Sequence, residues 1–210
     1  LNLDLFYKYD FYVMGEIYVE IKHCLLANSN VSFEHIKKVY SHPIALEQCQ
    51  DFLRRYHLTP IPDFDTAGSA RALAQRAALD EAAIAPALCA EYYHLTIVKE
   101  NIQKVKTNIT RFFIFVTEDN IPTDLLKEKT SMAFMIKHHP GALVNCLKQF
   151  SKNKINLTKI ESRPIPENPF AYVFFVDFTG SPDQENVQNC LNDMGRDTYA
   201  IKMLGSYPIG

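Results

Sequence analysis

Asn108-Ile109-Thr110-Arg111-Phe112-Phe113-Ile114-Phe115-Val116 opens polar and closes as an aromatic, β-branched run. That pattern predicts a buried strand with a chemically equipped entrance. Thr110 offers a hydroxyl, and Arg111 a five-donor guanidinium that stays charged. Before this strand the chain alternates strand and helix; after it the order of elements changes. The strand therefore joins two units, and at its mouth a small anion can meet both a charge and a proton donor.

Upstream, residues 12–21 alternate after Gly15, with Ile17, Val19 and Ile21 on one face and Glu16, Tyr18 and Glu20 on the other, which predicts a strand with one covered face. A short strand over 36–40 runs into Ser41-His42-Pro43. Proline suits the first helical position, so a helix is expected over 43–56, burying Ala45, Leu46, Cys49, Phe52 and Leu53. Pro60 and Pro62 make 58–64 extended but unsuited to the centre of a sheet. Asp65-Thr66 precedes an alanine-rich helix over 67–78, with either residue a natural N-cap. A buried strand over 82–85, a helix over 86–93 and a strand over 95–98 complete an α/β unit with a parallel-rich sheet and helices on both faces.

Beyond Lys127 the predicted order is strand (130–136), helix (from 140–141 to 150), strand (155–163), strand (170–178), helix (to about 194), strand (198–204). That is the ferredoxin-like βαββαβ arrangement. The domain boundary is expected near residues 119–124, where Pro122 sits among polar side chains, giving domains of 1–120 and 127–210.

The 210 residues are 47% hydrophobic and 22% charged, enough for a proper core. With 22 basic against 24 acidic residues and a formal charge of −2, neither sign clusters, which argues against nucleic-acid or membrane partners. Five widely spaced cysteines, none in a C-x-x-C pair, read as reduced, packed thiols of a cytoplasmic protein. The chain opens with Leu1, and residues 1–12 lack signal-peptide grammar, so the expectation is a start inside a longer polypeptide.

Three features could carry chemistry. Ser41-His42-Pro43 and Asp65-Thr66-Ala67 each follow a strand and start a helix, where free N–H groups and the helix dipole favour carboxylates. Such strand ends are where open α/β sheets bind ligands. Singly, Ser41, Asp65 and Thr66 read as caps; together with Thr110 and Arg111 they read as a site. Arg111 taken alone serves equally well as a structural ion-pair partner. His42 suits either acid–base work or the turn before Pro43. Phe112 to Phe115 read as core. His138 and His139 read as an exposed pair without the further ligands a metal needs. In the C-terminal unit, a buried Glu161-Ser162-Arg163 set at a strand end would be costly unless paired across an interface or to a ligand, and Gly141 permits close backbone approach.

At these residues the sequence resembles the prephenate dehydratase family of phenylalanine synthesis. The resemblance is carried by Ser41-His42-Pro43 with Ala45-Leu46 and Gln48-Cys49, by Asp65-Thr66-Ala67 and by Ala82-Ala83-Ile84-Ala85. It continues through Asn108 to Phe112, Gly141-Ala142-Leu143, Ile155-Asn156-Leu157 and Glu161-Ser162-Arg163-Pro164. It implies a periplasmic-binding-protein-like dehydratase lobe followed by an ACT regulatory domain. The implied reaction converts prephenate to phenylpyruvate with loss of carbon dioxide and hydroxide, without cofactor or metal; arogenate is an alternative substrate, and an inactive amino-acid sensor an alternative function. The implied catalytic residues are Thr110, Arg111 and Phe112, with Thr110 assisting the departing hydroxide. Those implied for substrate are Ser41, His42, Gln48, Asp65, Thr66, Ala67 and Asn108. Phenylalanine would bind Gly141, Ala142, Leu143, Asn156, Glu161, Ser162, Arg163 and Pro164 between paired ACT domains of a homodimer or tetramer. The family's Gly-Pro-x-Gly-Thr and Glu-Asn-Ser motifs do not occur here, so the dehydratase domain is expected to be incomplete at its N-terminus and its activity in this form doubtful.

Overall fold

The computed structural model describes residues 5, 9–76, 78–165 and 168–210, and the chain divides into two compact units, Val19–Thr110 and Leu1–Tyr18 with Arg111–Gly210. The division runs through the predicted joining strand itself, between Thr110 and Arg111, so that strand and the one near the start of the chain group mainly with the C-terminal residues.

Unit Val19–Thr110 is built on a five-stranded sheet. Its elements are β2 (Cys24–Ala27), β3 (Lys38–Ser41), α1 (Pro43–Gln48), α2 (Gln50–Arg55), β4 (Thr59–Pro62), α3 (Thr66–Ala74), β5 (Glu81–Ala85), α4 (Leu88–Tyr93) and β6 (Thr96–Lys99), and the strand order is β4-β3-β5-β2-β6. β3 is parallel to β4 and β5, whereas β2 runs antiparallel to β5 and β6. Strand side chains alternate between two cores. Leu25, Ala27, Val39, Ala82 and Ile84 meet Ala45, Leu46, Cys49 and Leu53 of α1 and α2 on one face. Cys24, Leu26, Ala83 and Ala85 meet Ala70, Leu73, Cys89 and Ala90 of α3 and α4 on the other. The predicted single helix over 43–56 is two, because Cys49, at φ −103° and ψ 10°, closes α1 and opens α2. Pro60 and Pro62 sit on edge strand β4, where a missing N–H costs no ladder bond.

The other unit carries β8 (Lys129–Ile136), α5 (Ala142–Lys152), β9 (Leu157–Ile165), β10 (Asn168–Thr179), α6 (Glu185–Met194) and β11 (Thr198–Tyr207), a βαββαβ order with sheet order β11-β8-β10-β9. Met132, Phe134, Val176 and Phe178 pack on Cys146 and Phe150 of α5 and on Val187, Cys190 and Met194 of α6. Ala133, Val173, Phe175, Leu204 and Tyr207 face the opposite way, onto Val13, Phe11 and Phe113. Those three belong to a two-stranded ribbon of β1 (Phe11–Glu20) and β7 (Ile109–Thr117). β7, expected to be buried, is half open: Phe112 and Phe115 are each 51% exposed, while Phe113 turns inward beside Tyr207. Among the described residues no helix is long and apolar enough to cross a membrane.

Candidate functional site

Because β3 and β4 are parallel neighbours, their carboxyl ends lie at one sheet edge, stitched by Asp63 N–H donating to Ser41 O at 2.9 Å. Both chains then turn into helices. His42 caps α1, its Nδ1 accepting from Ile44 N–H at 3.2 Å. Asp65 caps α3 by accepting from Gly68 N–H, while Ser69 Oγ donates to Asp63 Oδ2 at 3.0 Å. Two helix starts thus stand side by side where free N–H groups and the dipole favour negative charge.

These turns border an open cleft of about 350 Å³ lined by Ile21, His23, His42, Ile44, Ala45, Gln48, Asp65, Thr66, Asn108 and Thr110. Gln48, at the end of α1, receives Asn108 Nδ2 on its side-chain oxygen at 3.2 Å. Asn108 O accepts Ile21 N–H at 2.7 Å, tying the entrance of β7 to the exit of β1. The Thr110 hydroxyl is half-buried at the cleft and has no hydrogen-bond partner among the described residues. The site therefore combines a free hydroxyl, side-chain amides and a helix start, a set suited to an oxygen-rich anion.

Of the residues expected to bind substrate, His42, Gln48, Asp65, Thr66 and Asn108 line this cleft, as does Thr110. Ser41 does not: it is fully buried, and its hydroxyl donates to Ile84 O at 2.7 Å, holding β3 to β5. Ala67 is half-buried and packs into the α3 core instead. Phe112 lies exposed on the ribbon.

Arg111 was read as suited either to a ligand's carboxylate or to a structural ion pair, and its guanidinium takes the second role: it meets Asp177 at 2.6 Å and Glu16 at 3.3 Å and lies over the Phe113 ring. Burial pulls the Arg111 pKa down, but Asp177, then Tyr207 and Glu16, outweigh it and leave the group firmly charged. Lys129 Nζ shares Glu16 at 2.9 and 3.0 Å, and Ser131 Oγ donates to Asp177 Oδ1 at 2.6 Å. Within this network of charges Nη1 of Arg111 is committed to Asp177 and Glu16.

In the C-terminal unit, Gly141 caps α5 at φ +86°, a conformation that glycine adopts without penalty. Ala142 is buried, and Leu143 packs against the helix-side core. Asn156 is exposed, and its carbonyl accepts from Thr179 N–H at 3.0 Å. Glu161, Ser162, Arg163 and Pro164 are not fully buried. They alternate along the second half of edge strand β9, up to one residue from its end, with Ser162 and Pro164 exposed and Glu161 lying 3.2 Å from Lys159 and 3.7 Å from Arg163. The ladder of charges along one strand face meets the demand for pairing.

His23 was missed. It lies between β1 and β2, and the overlooked signal was the short apolar run Cys24-Leu25-Leu26-Ala27, a buried strand that places His23 at the sheet edge. Among the described residues no group of three or more His, Cys, Asp or Glu side chains is arranged to hold a metal ion.

The chain is similar to the arogenate dehydratase/prephenate dehydratase 2 of Arabidopsis thaliana, at 38% identity over 99% of this chain and 57% of that protein. It is also similar to the bifunctional chorismate mutase/prephenate dehydratase of Aquifex aeolicus, at 41% identity over 99% of this chain and 56% of that protein. It thus spans little more than half the length of these relatives. Among solved structures, the prephenate dehydratase of Arthrobacter aurescens in complex with L-Phe superposes with a TM-score of 0.86 at 30% identity, over 98% of this chain and 69% of that one. A protein described as a quorum quenching acylase, GqqA, superposes with a TM-score of 0.85 at 27% identity over 98% of this chain and 75% of that one, so the fold alone does not select an activity. The family model for prephenate dehydratase matches residues 1–120, more than half of the chain. The chain belongs to the prephenate dehydratase family.

Proposed function

We propose that this chain forms the substrate-holding and regulatory part of a prephenate dehydratase, which converts prephenate to phenylpyruvate, carbon dioxide and hydroxide. The observation that carries the proposal is the cleft of Val19–Thr110, where a free Thr110 hydroxyl shares a wall with the Gln48 and Asn108 amides and the start of α3. Prephenate is a dianion, and the α3 start and the amides supply donors for its carboxylates. Hydroxide is a poor leaving group. A hydrogen bond from Thr110 stabilises the departing oxygen, and aromatisation of the ring supplies the drive, so the protein mainly orients and polarises. Arg111, held by Asp177 and Glu16, serves this reading by anchoring the chain next to Thr110 and not by binding substrate.

The βαββαβ unit acts in this reading as an ACT domain that binds phenylalanine near Gly141 and the β9 edge and associates with a second copy. The fold shared with the L-Phe complex from Arthrobacter aurescens supports it. The relatives' names admit arogenate as well as prephenate. The test is turnover by the protein in its natural length, offered prephenate and arogenate in competition, with and without phenylalanine. Appearance of phenylpyruvate, suppressed by phenylalanine, is expected. Phenylalanine formed from arogenate alone would move the assignment to arogenate dehydratase, and no product from either would end it.

A further inference from the structure

His23 is 4% exposed and lines the cleft, yet the chemistry above makes no use of it. Its Nε2 stands 2.7 Å from Gln48 Oε1, the oxygen that Asn108 Nδ2 also reaches at 3.2 Å. Its Nδ1 is buried with no partner among the described residues. An amide oxygen only accepts, so in the neutral ring the proton sits on Nε2 and Nδ1 is bare. Turning the Gln48 amide over would require Nδ1–H, a buried donor with nothing to receive it, and orphaned buried N–H groups are rarer than under-satisfied acceptors. The backbone around this contact is pinned on both sides. His23 N–H donates to Gln103 Oε1 at 3.0 Å, His23 O accepts Ile102 N–H at 3.1 Å, and Gln48 O accepts Lys104 N–H at 2.9 Å. With two donors on its oxygen, Gln48 has its N–H pair left over, and that pair has no partner among the described residues.

We infer that His23 is a positioning residue: as the Nε2–H tautomer it fixes, with Asn108, the Gln48 amide so that its nitrogen faces the cleft and donates an N–H to a carboxylate oxygen of the substrate. The inference rests on the function proposed above and adds what sets the polarity of its central amide. Without the His23 donor, Gln48 is free to present its oxygen to a carboxylate, which repels it.

The test pairs kinetics with spectroscopy on the protein in its natural length. Leucine matches much of the imidazole's bulk without a donor, whereas glutamine places an amide N–H near the Nε2 position. His23→Leu is expected to lose about tenfold or more in kcat/KM for prephenate, a hydrogen bond's worth, with His23→Gln within about threefold of wild type. In a Gln48→Ala background, His23→Leu should add nothing further, because its effect runs through the amide. An unchanged kcat/KM in His23→Leu, or an equal loss with and without Gln48, would overturn the inference. Nitrogen-15 shifts of His23 in the wild-type protein give a reading independent of turnover: protonated Nε2 with bare Nδ1 is expected, and the Nδ1–H tautomer would overturn it. A wild-type protein inert toward prephenate removes the dehydratase function, and the tautomer then decides the role of His23 by itself.

Discussion

Glu16 keeps its carboxylate fully buried between the ammonium of Lys129 and the guanidinium of Arg111. Removing one member of such a set strands the others in a poorly solvating interior. Glu16→Ala is expected to cost about 3–5 kcal/mol of stability, read as a fall in the urea midpoint. Arg111 retains Asp177 in that variant, so the stranded charge is Lys129, and adding Lys129→Met should recover part of the loss. The Asp65 cap offers a milder case: Asp65→Ala should cost about 1 kcal/mol by releasing the Gly68 N–H. Residues such as Asp65 and Thr110 were legible because their signal is local, a polar side chain where a strand passes into a helix or starts, whereas Gln48, at the end of a helix, came only with the family resemblance. The ion-pair role of Arg111 stood open in the sequence, but its partners were not legible, since Asp177 and Glu16 lie far away along the chain and only the packing of β1, β7, β8 and β10 brings them to it.

Strands and helices were read with uneven success for reasons that lie in their surroundings. β8 and β10 were found because alternating apolar residues serve two covered faces, helices on one side and the β1–β7 ribbon on the other. β2 was overlooked because four residues give no period to count, although it lies next to the β5 strand at the heart of its sheet. β7 carries a core-like aromatic pattern, yet Ile109, Phe112, Ile114 and Phe115 remain exposed, since periodicity reports which side chains share a face and not whether anything covers it. Gly205 shows how closely β11 approaches β1: a Cβ there would strike the backbone of Val13. Gly205→Ala is therefore expected to destabilise the Arg111–Gly210 portion by about 1–3 kcal/mol, measured by thermal melting, since backbone must shift to admit the methyl group.

Across the chain all five thiols, Cys24, Cys49, Cys89, Cys146 and Cys190, are free and buried. Burial raises Cys49 and Cys190 from the ordinary 9.0 to about 12, and Cys146 to about 11. A thiol whose folded pKa exceeds its unfolded one stabilises below the unfolded value and loses that contribution as pH rises toward the folded value. Stability should thus decline from about pH 9 upward, and Cys49→Ala should flatten part of the decline in melting curves taken between pH 8 and pH 11. The arrangement on which the functional account depends is smaller than the chain: one hydroxyl, unengaged by its neighbours, at the edge of a cleft built from two helix starts and two amides. Its most direct test is the rate of phenylpyruvate formation from prephenate by Thr110→Ala in the natural-length protein, beside a melting curve. A fall in kcat of about a hundredfold or more at unchanged melting temperature is predicted, the scale of losing a donor to a departing oxygen. Undiminished kcat in a folded Thr110→Ala protein would contradict the account.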